Sequence, residues 1–169
     1  MSRRVVIADA GPLIALARID ALHLLRKLFG QVCITATVRD EMLPAARVFP
    51  ETGRLIRTLA EGWIEVADTP QDGFRPINPG VDPGEASAIG AACRWRDAGE
   101  AVLLVMDDRA GRLEARSRGI PSIGTAAVIG LAKTEGLIAA AKPLLERLAQ
   151  SGYYLGATVV SSVLAEAGE

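Results

Sequence analysis

Acidic residues follow two apolar segments of the sequence in the same way. Asp9 comes directly after the apolar residues 5–8, and Asp107 and Asp108 come directly after residues 102–106. Carboxylate oxygens are hard ligands that suit Mg²⁺ and Mn²⁺, and these ions assist hydrolysis by activating water and stabilising negative charge. If the fold brings the two segment ends together, these acids are candidates for metal-assisted chemistry.

Two further acids, Glu41 and Glu85, lie in the first turns of predicted helices that follow extended segments. Helix starts of this kind point toward the carboxyl ends of parallel strands, where open α/β sheets bind their ligands. Carboxylates gathered at that edge repel one another unless a cation neutralises them. The sequence therefore predicts a divalent metal site, with Mg²⁺ or Mn²⁺ favoured over Zn²⁺ because His and Cys ligands are lacking.

Each of these acids also has a purely structural explanation. Asp9, and either Asp107 or Asp108, could cap the helix that follows it. Glu85 could be only a capping-box residue, and Glu41 could be an ordinary solvated helix residue. No single acid decides between the two explanations, and the joint pattern is more specific than any of its members.

The remaining composition narrows the chemistry. A single histidine, His23, rules out a multi-His metal site, and the two cysteines, Cys33 and Cys93, form neither a disulfide framework nor a zinc site. The first strand is not followed by a Walker loop or a Gly-x-Gly-x-x-Gly turn, which disfavours a nucleotide-binding protein or a small phosphatase. The net charge of −1 gives no global indication of nucleic-acid binding. The apolar stretches are too short for a membrane span or a signal peptide, so we expect a cytoplasmic protein without a membrane partner.

Three arginines share one face of a predicted helix. Arg109, Arg112 and Arg116 recur at i, i+3 and i+7, and this face begins beside the predicted metal site. Arginine binds phosphate through two parallel hydrogen bonds, so we predict that this face binds substrate phosphates; the alternative is a solvated face with Glu114 as counter-charge. Thr125 is a candidate for a substrate-binding hydroxyl, with capping of the following helix as the alternative.

Apolar extended segments alternate with segments of helical periodicity along the chain. This order predicts right-handed crossovers and a three-layer α/β/α fold with a central parallel sheet of about four to five strands. We expect residues 1–169 to form a single domain. The predicted strands are 5–9, 32–35, 64–66, 101–106 and 120–123.

Several residues predict where helices and loops begin. The order Asp-Pro-Gly-Glu at 82–85 predicts a capping box, Asp20 is predicted to cap the second helix, and Thr35 or Thr37 the third. Prolines mark a predicted loop between helices, and residues 68–83 form the longest predicted loop, a candidate mobile flap. The prolines are Pro44 and Pro50.

These segments, taken in order, resemble the motifs of PIN-like domains. The first motif is Val-Val-Ile-Ala-Asp-Ala-Gly-Pro-Leu-Ile-Ala-Leu-Ala at 5–17. It is most similar to the branch long catalogued as a domain of unknown function and often encoded beside a small antitoxin. The likeness continues through residues 37–41, 84–89, 106–115, 124–132 and 136–164, and so covers nearly the whole chain.

The resemblance implies a ribonuclease fold that holds Mg²⁺ or Mn²⁺ with acidic residues. By position, Asp9 is the acid of the first motif, Glu41 of the second and Glu85 of the third. The last acid falls on the Asp107–Asp108 pair: the basic residue that follows the pair favours Asp108, whereas strand-end geometry favours Asp107. The predicted metal ligands are therefore Asp9, Glu85, Asp107 and Asp108, with Glu41 on a second metal or orienting the water.

The resulting hypothesis is a metal-dependent endoribonuclease, the toxin of a toxin–antitoxin pair. Its predicted partners are RNA, a small antitoxin protein and a second copy of the chain. The apolar residues 153–155 and 159–160 could form the homodimer face or bind an antitoxin helix, with completion of the core as the alternative. Many PIN-like domains have Ser or Thr one or two residues after the first Asp, where this chain has Ala10 and Gly11. This departure supports an alternative function, a catalytically weak module that binds RNA or a protein partner without cutting.

Overall fold

Five short parallel strands form one sheet in the computed structural model, which describes residues 4–48, 53–67 and 73–169. The strand order is β3-β2-β1-β4-β5. Because β1 and β4 are adjacent in the centre, the segments that precede Asp9 and Asp107 are direct neighbours. The strands are β1 (Val5–Ala8), β2 (Val32–Thr35), β3 (Ile64–Ala67), β4 (Val102–Val105) and β5 (Ser122–Ile123).

Helices cover both faces of the sheet, which gives the three-layer α/β/α arrangement. The helices are α1 (Ala10–Arg18), α2 (His23–Phe29), α3 (Ala36–Val48), α4 (Gly53–Ala60), α5 (Pro83–Asp97), α6 (Arg109–Ser117), α7 (Thr125–Thr134), α8 (Lys142–Gln150) and α9 (Ala157–Glu166). The helix α5 packs across β1, β2 and β4 with α3 and α6 beside it, whereas α7 packs with α1, α2, α8 and α9.

The central strands supply the middle of the core. All four residues of β4 are buried, as are the last three of β1, because helices cover both faces of the sheet at this point. The predicted fold class is confirmed, and so are the five predicted strands to within a residue or two at their ends. Among the described residues, no helix combines the length and the apolarity needed to cross a bilayer.

The role predicted for Asp20 is wrong. The residue at the start of α2 is Leu22, and its side chain makes no capping hydrogen bond. Asp20 instead ends α1: it has a φ of 58°, and its N–H donates to the carbonyl of Ala17 while the N–H of Ala21 donates to that of Leu16. This pair of bonds is the Schellman motif, which Asp can adopt because it tolerates the left-handed conformation. The sequence pattern at Asp20 therefore marks the end of α1 and not the start of α2.

The loop predicted at Pro44 is also wrong, because Pro44 lies inside α3. A proline in a helix costs free energy, but this helix buries Val38 and Met42 in the core and continues past the proline. Pro50 lies outside the described residues. At the start of α3, the Oγ1 atom of Thr35 accepts a hydrogen bond from the N–H of Val38 at 3.1 Å, so Thr35 is the one of the two predicted candidates that caps this helix.

Candidate active site

Asp9 and Asp107 follow the ends of the two central strands, which lie side by side. Ala8 pairs with Val105, so Asp9 lies directly after the paired residues and Asp107 one position further along. The N–H of Asp9 donates to the carbonyl of Val105 at 2.9 Å, which extends the ladder up to the acid itself. Only 8% of Asp9 is exposed, and its side chain forms no capping hydrogen bond, although it stands at the start of α1.

The carboxylate of Asp107 is held by donors from two other segments. The backbone N–H of Thr125 donates to Oδ1 at 2.7 Å, and the Thr125 hydroxyl donates to Oδ2 at 2.5 Å. The hydroxyl of Tyr153 donates to the same Oδ2 atom. Burial and the nearby charge of Asp107 raise the pKa of the Tyr153 phenol far above its ordinary value, so it remains a proton donor.

The capping role predicted for Thr125 is wrong. Thr125 is the first residue of α7, after Gly124, and makes no capping bond to its own helix. The residue is completely buried, and its hydroxyl is engaged by Asp107. In this structure the hydroxyl of Thr125 therefore acts on Asp107.

Glu85 enters the site from the first turn of α5. The predicted capping box is confirmed: the N–H of Glu85 donates to Oδ1 of Asp82 at 2.8 Å, and the N–H of Asp82 donates to Oε2 of Glu85 at 3.0 Å. Only 4% of Glu85 is exposed. The start of α6 packs closely on this carboxyl, because a Cβ atom at Gly111 would lie 3.2 Å from its Cδ atom.

Asp108 and Glu41 lie at the exposed border of the same cluster. Oδ1 of Asp108 accepts hydrogen bonds from the N–H groups of Ala110 and Gly111, at 2.7 and 3.2 Å, and so caps α6. The carboxylate of Glu41 lies against the start of α5, where the N–H of Gly84 is its hydrogen-bond donor. A Cβ atom at Gly84 would lie 2.1 Å from Oε2 of Glu41, so only glycine allows this approach.

The five predicted acids therefore converge on one edge of the sheet, and the pKa values of three of them, Asp9, Glu41 and Glu85, are raised. Burial raises the pKa of Asp9 to about 6, with further contributions from Asp82, Glu41 and Asp107. Burial, with smaller contributions from the charges of Asp82, Asp108 and Asp9, raises the pKa of Glu85 to about 7, and burial and Asp82 raise the pKa of Glu41.

This concentration of acids is suited to a hard divalent cation in donor type and in charge. The charged groups that act most strongly on Asp9 and Glu85 are themselves acids, so a cation at this edge would relieve their repulsion. Among the described residues, no three acid, histidine or cysteine side chains are arranged as ready-made metal ligands. Two of the acids already have backbone partners, since Oε2 of Glu85 accepts from the N–H of Asp82 and Oδ1 of Asp108 caps α6.

A groove of about 850 Å³ leads away from Asp107 between α6 and α9. Arg109, Arg112 and Arg116 are exposed and line it, as their spacing predicted. Arg112 comes near the acids, because a Cβ atom at Gly124 would lie 3.6 Å from its guanidinium and 2.7 Å from Oδ1 of Asp107. The positively charged arginines therefore lie directly beside the carboxylate cluster.

The sequence model of the family described as DUF3368: PIN domain matches residues 5–169. The chain belongs to the PIN domain family. PIN domains are generally nucleases, so the acid cluster of this PIN domain lies in a nuclease-type fold. No curated protein matches the chain.

Two residues of this PIN domain site were not predicted from its sequence to belong to the site. Asp82 acts on Asp9, Glu41 and Glu85 through its charge, although its sequence position predicted only a cap. Tyr153 reaches Asp107 across a separation of 46 residues. The available signal for Asp82 was its spacing from Glu85; for Tyr153 there was none.

Residues 73–82, the described part of the predicted flap, are held against the rest of this PIN domain by hydrogen bonds. The buried carboxylate of Glu114 accepts hydrogen bonds from the N–H groups of Ile77 and Asn78, at 3.1 and 2.9 Å. Arg118 pairs with Glu114 at 3.0 Å, and its guanidinium lies 4.9 Å from the centre of the Phe74 ring. In the alternative interpretation of the arginine face Glu114 was a solvated counter-charge, but it is buried and fixes the segment that leads into α5.

Proposed function

We propose that this PIN domain is a metal-dependent endoribonuclease that hydrolyses RNA phosphodiester bonds. The observation that carries the proposal is the group of acids at the carboxyl edge of the sheet, where Asp9 and Glu85 are buried and their pKa values are raised to about 6 and about 7. Burying acids costs stability, and a group of buried acids with raised pKa values is typical of functional sites.

In this mechanism Asp9, Glu85 and the Asp107–Asp108 pair hold Mg²⁺ or Mn²⁺, with Glu41 at the border. A bound divalent ion would supply the positive charge that activates water and stabilises the scissile phosphate. The protein's own contribution begins with loss of the protons from the carboxyl groups of Asp9 and Glu85, because only the carboxylate forms are ligands. Thr125 and Tyr153 hold the carboxylate of Asp107 in one orientation by donating to it.

The arginines along the groove would bind the phosphates on either side of the cut. Their guanidinium groups are exposed and continuous with the acid cluster, so a chain that lies in the groove brings one phosphate to the acids. Phosphate contacts of this kind position a nucleic acid without reading its sequence.

The decisive experiment measures cleavage of a fluorescent single-stranded RNA by the purified protein. We expect cleavage with Mn²⁺ or Mg²⁺ and none with EDTA. The rate should rise as the pH increases from about 6 to about 8, because Asp9 and Glu85 lose their protons over that range. An intact RNA that still binds the protein would instead support the non-cutting module, which the absence of a hydroxyl at Ala10 and Gly11 favours.

The arginine face makes a separate prediction about RNA affinity, measured in EDTA so that cleavage does not interfere. The double variant Arg112→Ala/Arg116→Ala should bind more weakly, and the slope of log affinity against log salt should fall by about 0.7 for each phosphate that the variant no longer binds. Arg57→Ala is the control, because Arg57 is exposed on α4 at the opposite edge of the sheet. Equal slopes for all three proteins would rule out this face as the RNA site.

From the resemblance we further propose that the protein acts in the cytoplasm as a toxin, as a homodimer controlled by a small antitoxin protein. Exposed apolar residues, Tyr154 and Val159 among them, lie beside the groove and could form either interface. Expression in a bacterial host should arrest growth only if Asp9 is intact, and sedimentation should give twice the monomer mass. Normal growth with the wild-type protein would contradict the toxin role.

A further inference from the structure

Tyr153 connects the C-terminal part of the chain to the acid cluster. It lies between α8 and α9, where its N–H donates to the carbonyl of Leu148 at 3.3 Å. The following helix is anchored as well, because Val163 is buried close against Gly130 of α7. The ring of Tyr153 packs on the core, and its hydroxyl donates to Asp107.

The hydroxyl of Tyr153 limits what Asp107 can do. An ionised carboxylate has about four acceptor sites, two on each oxygen. Among the described donors, two hydroxyls, those of Thr125 and Tyr153, occupy Oδ2, and the Thr125 N–H occupies one site on Oδ1. One acceptor site on Oδ1 then remains for a ligand.

The same hydroxyl also lies in the space above Gly11. A Cβ atom at Gly11 would be 3.8 Å from the Tyr153 oxygen and 4.0 Å from Oδ2 of Asp9. The charge of Asp9 acts on Tyr153, as does that of Asp107. The phenol therefore lies near both strand-end acids, in a position that a side chain on residue 11 could otherwise reach.

We propose that Tyr153 is a positioning residue of the nuclease site: its hydroxyl fixes the Asp107 carboxylate so that a single Oδ1 acceptor site is presented to a ligand. The inference rests on the proposed function. It adds a residue from outside the motif acids and makes the C-terminal segment part of the active site. A phenol that only packed in the core would need no hydroxyl here.

The test compares Tyr153→Phe with wild type in two measurements, Mn²⁺ affinity by calorimetry without RNA, and kcat and KM for RNA cleavage. Removing one outer partner of a metal ligand typically weakens metal binding or activity about 10-fold or more. We expect such a loss in Mn²⁺ affinity and in kcat, with KM unchanged. Thr58→Val is the matched control, since it removes a buried hydroxyl bonded to a carbonyl on α4, away from the acids.

A second variant distinguishes a positioning role of the Tyr153 hydroxyl from a packing role of its ring. The double variant Gly11→Ser/Tyr153→Phe returns a hydroxyl to the vacated space, and the spacing around Gly11 accommodates its Cβ atom. We expect it to recover most of the lost Mn²⁺ affinity. Wild-type affinity and kcat in Tyr153→Phe, or a loss that the second substitution does not restore, would overturn the role of Tyr153. A wild-type protein that neither binds Mn²⁺ nor cleaves RNA would overturn the proposed function, and this role with it.

Discussion

Asp9→Asn should make the metal-free protein more stable while abolishing its activity. The folded-state pKa of Asp9 is about 6, against an ordinary value of 3.8. A raised pKa means that the folded state holds its proton more tightly, so stability falls as the pH rises from about 4 to about 6. Above that range the ionised acid lowers the free energy of unfolding by up to about 3 kcal/mol, at 1.36 kcal/mol for each pKa unit. Asparagine removes this cost.

Thermal unfolding in EDTA at pH 8 measures the effect. The variant should melt about 6–12 °C above wild type, and the difference should shrink toward zero at pH 4. Mn²⁺ should raise the melting temperature of wild type but not of the variant, because a ligand stabilises only the state that binds it. Asp97→Asn is the control, since Asp97 is an exposed acid at the far end of α5.

The same substitution should lower RNA cleavage by at least about 100-fold, because a metal ligand supports several kcal/mol of transition-state stabilisation. The two effects have opposite signs, which distinguishes a functional acid from a structural one. A variant that melts below wild type in EDTA and keeps its Mn²⁺ response would show that Asp9 is only a helix-start residue.

Glu114→Ala should be the most damaging substitution outside the acid cluster. Burial alone would raise the pKa of Glu114, but hydrogen bonds from Asn78 and Ile77 and the charge of Arg118 together lower it. Its removal leaves two N–H groups and a partly buried arginine without their acceptor. The expected loss is about 3 kcal/mol, or about 6–12 °C in melting temperature.

Hydrogen exchange locates the effect. The amides of Ile77 and Asn78 should exchange faster in the variant, since they donate directly to Glu114. Because the folded-state pKa is lowered, the stability that Glu114 contributes is present above its ordinary value of 4.5 and is lost on further acidification. The variant should therefore show a weaker acid dependence. Glu146→Ala, an exposed acid on α8, is the control, and an equal loss in both variants would contradict the assignment.

The sequence predicted those parts of the molecule that depend on neighbouring residues along the chain. The uninterrupted apolar run of β4 and the capping box of Asp82 and Glu85 are local patterns, and both are confirmed. Asp20 and Pro44 were misinterpreted because the observed conformation depends on the Schellman bonds in one case and on core packing in the other.

Contacts between distant segments account for what could not be predicted. Glu114 lies on the same helix as the exposed arginines, and nothing in the local sequence shows that a loop covers it. The contact between Tyr153 and Asp107 depends on how α8 and α9 pack. Local patterns thus identified the acids, whereas the side chains that orient them became visible only in the folded structure.

The capping box at the start of α5 engages one oxygen of Glu85, so the helix start competes with a bound ion for that oxygen. Oε2 of Glu85 is already bonded to the N–H of Asp82, whereas Oε1 takes no part in the cap. An ion bound through Oε1 alone leaves the cap intact. An ion that takes both oxygens must share Oε2 with the N–H of Asp82, which already uses one of the two acceptor sites on that oxygen. The fold of the first helical turn thereby makes Oε1 the less encumbered ligand atom and favours single-oxygen coordination by Glu85.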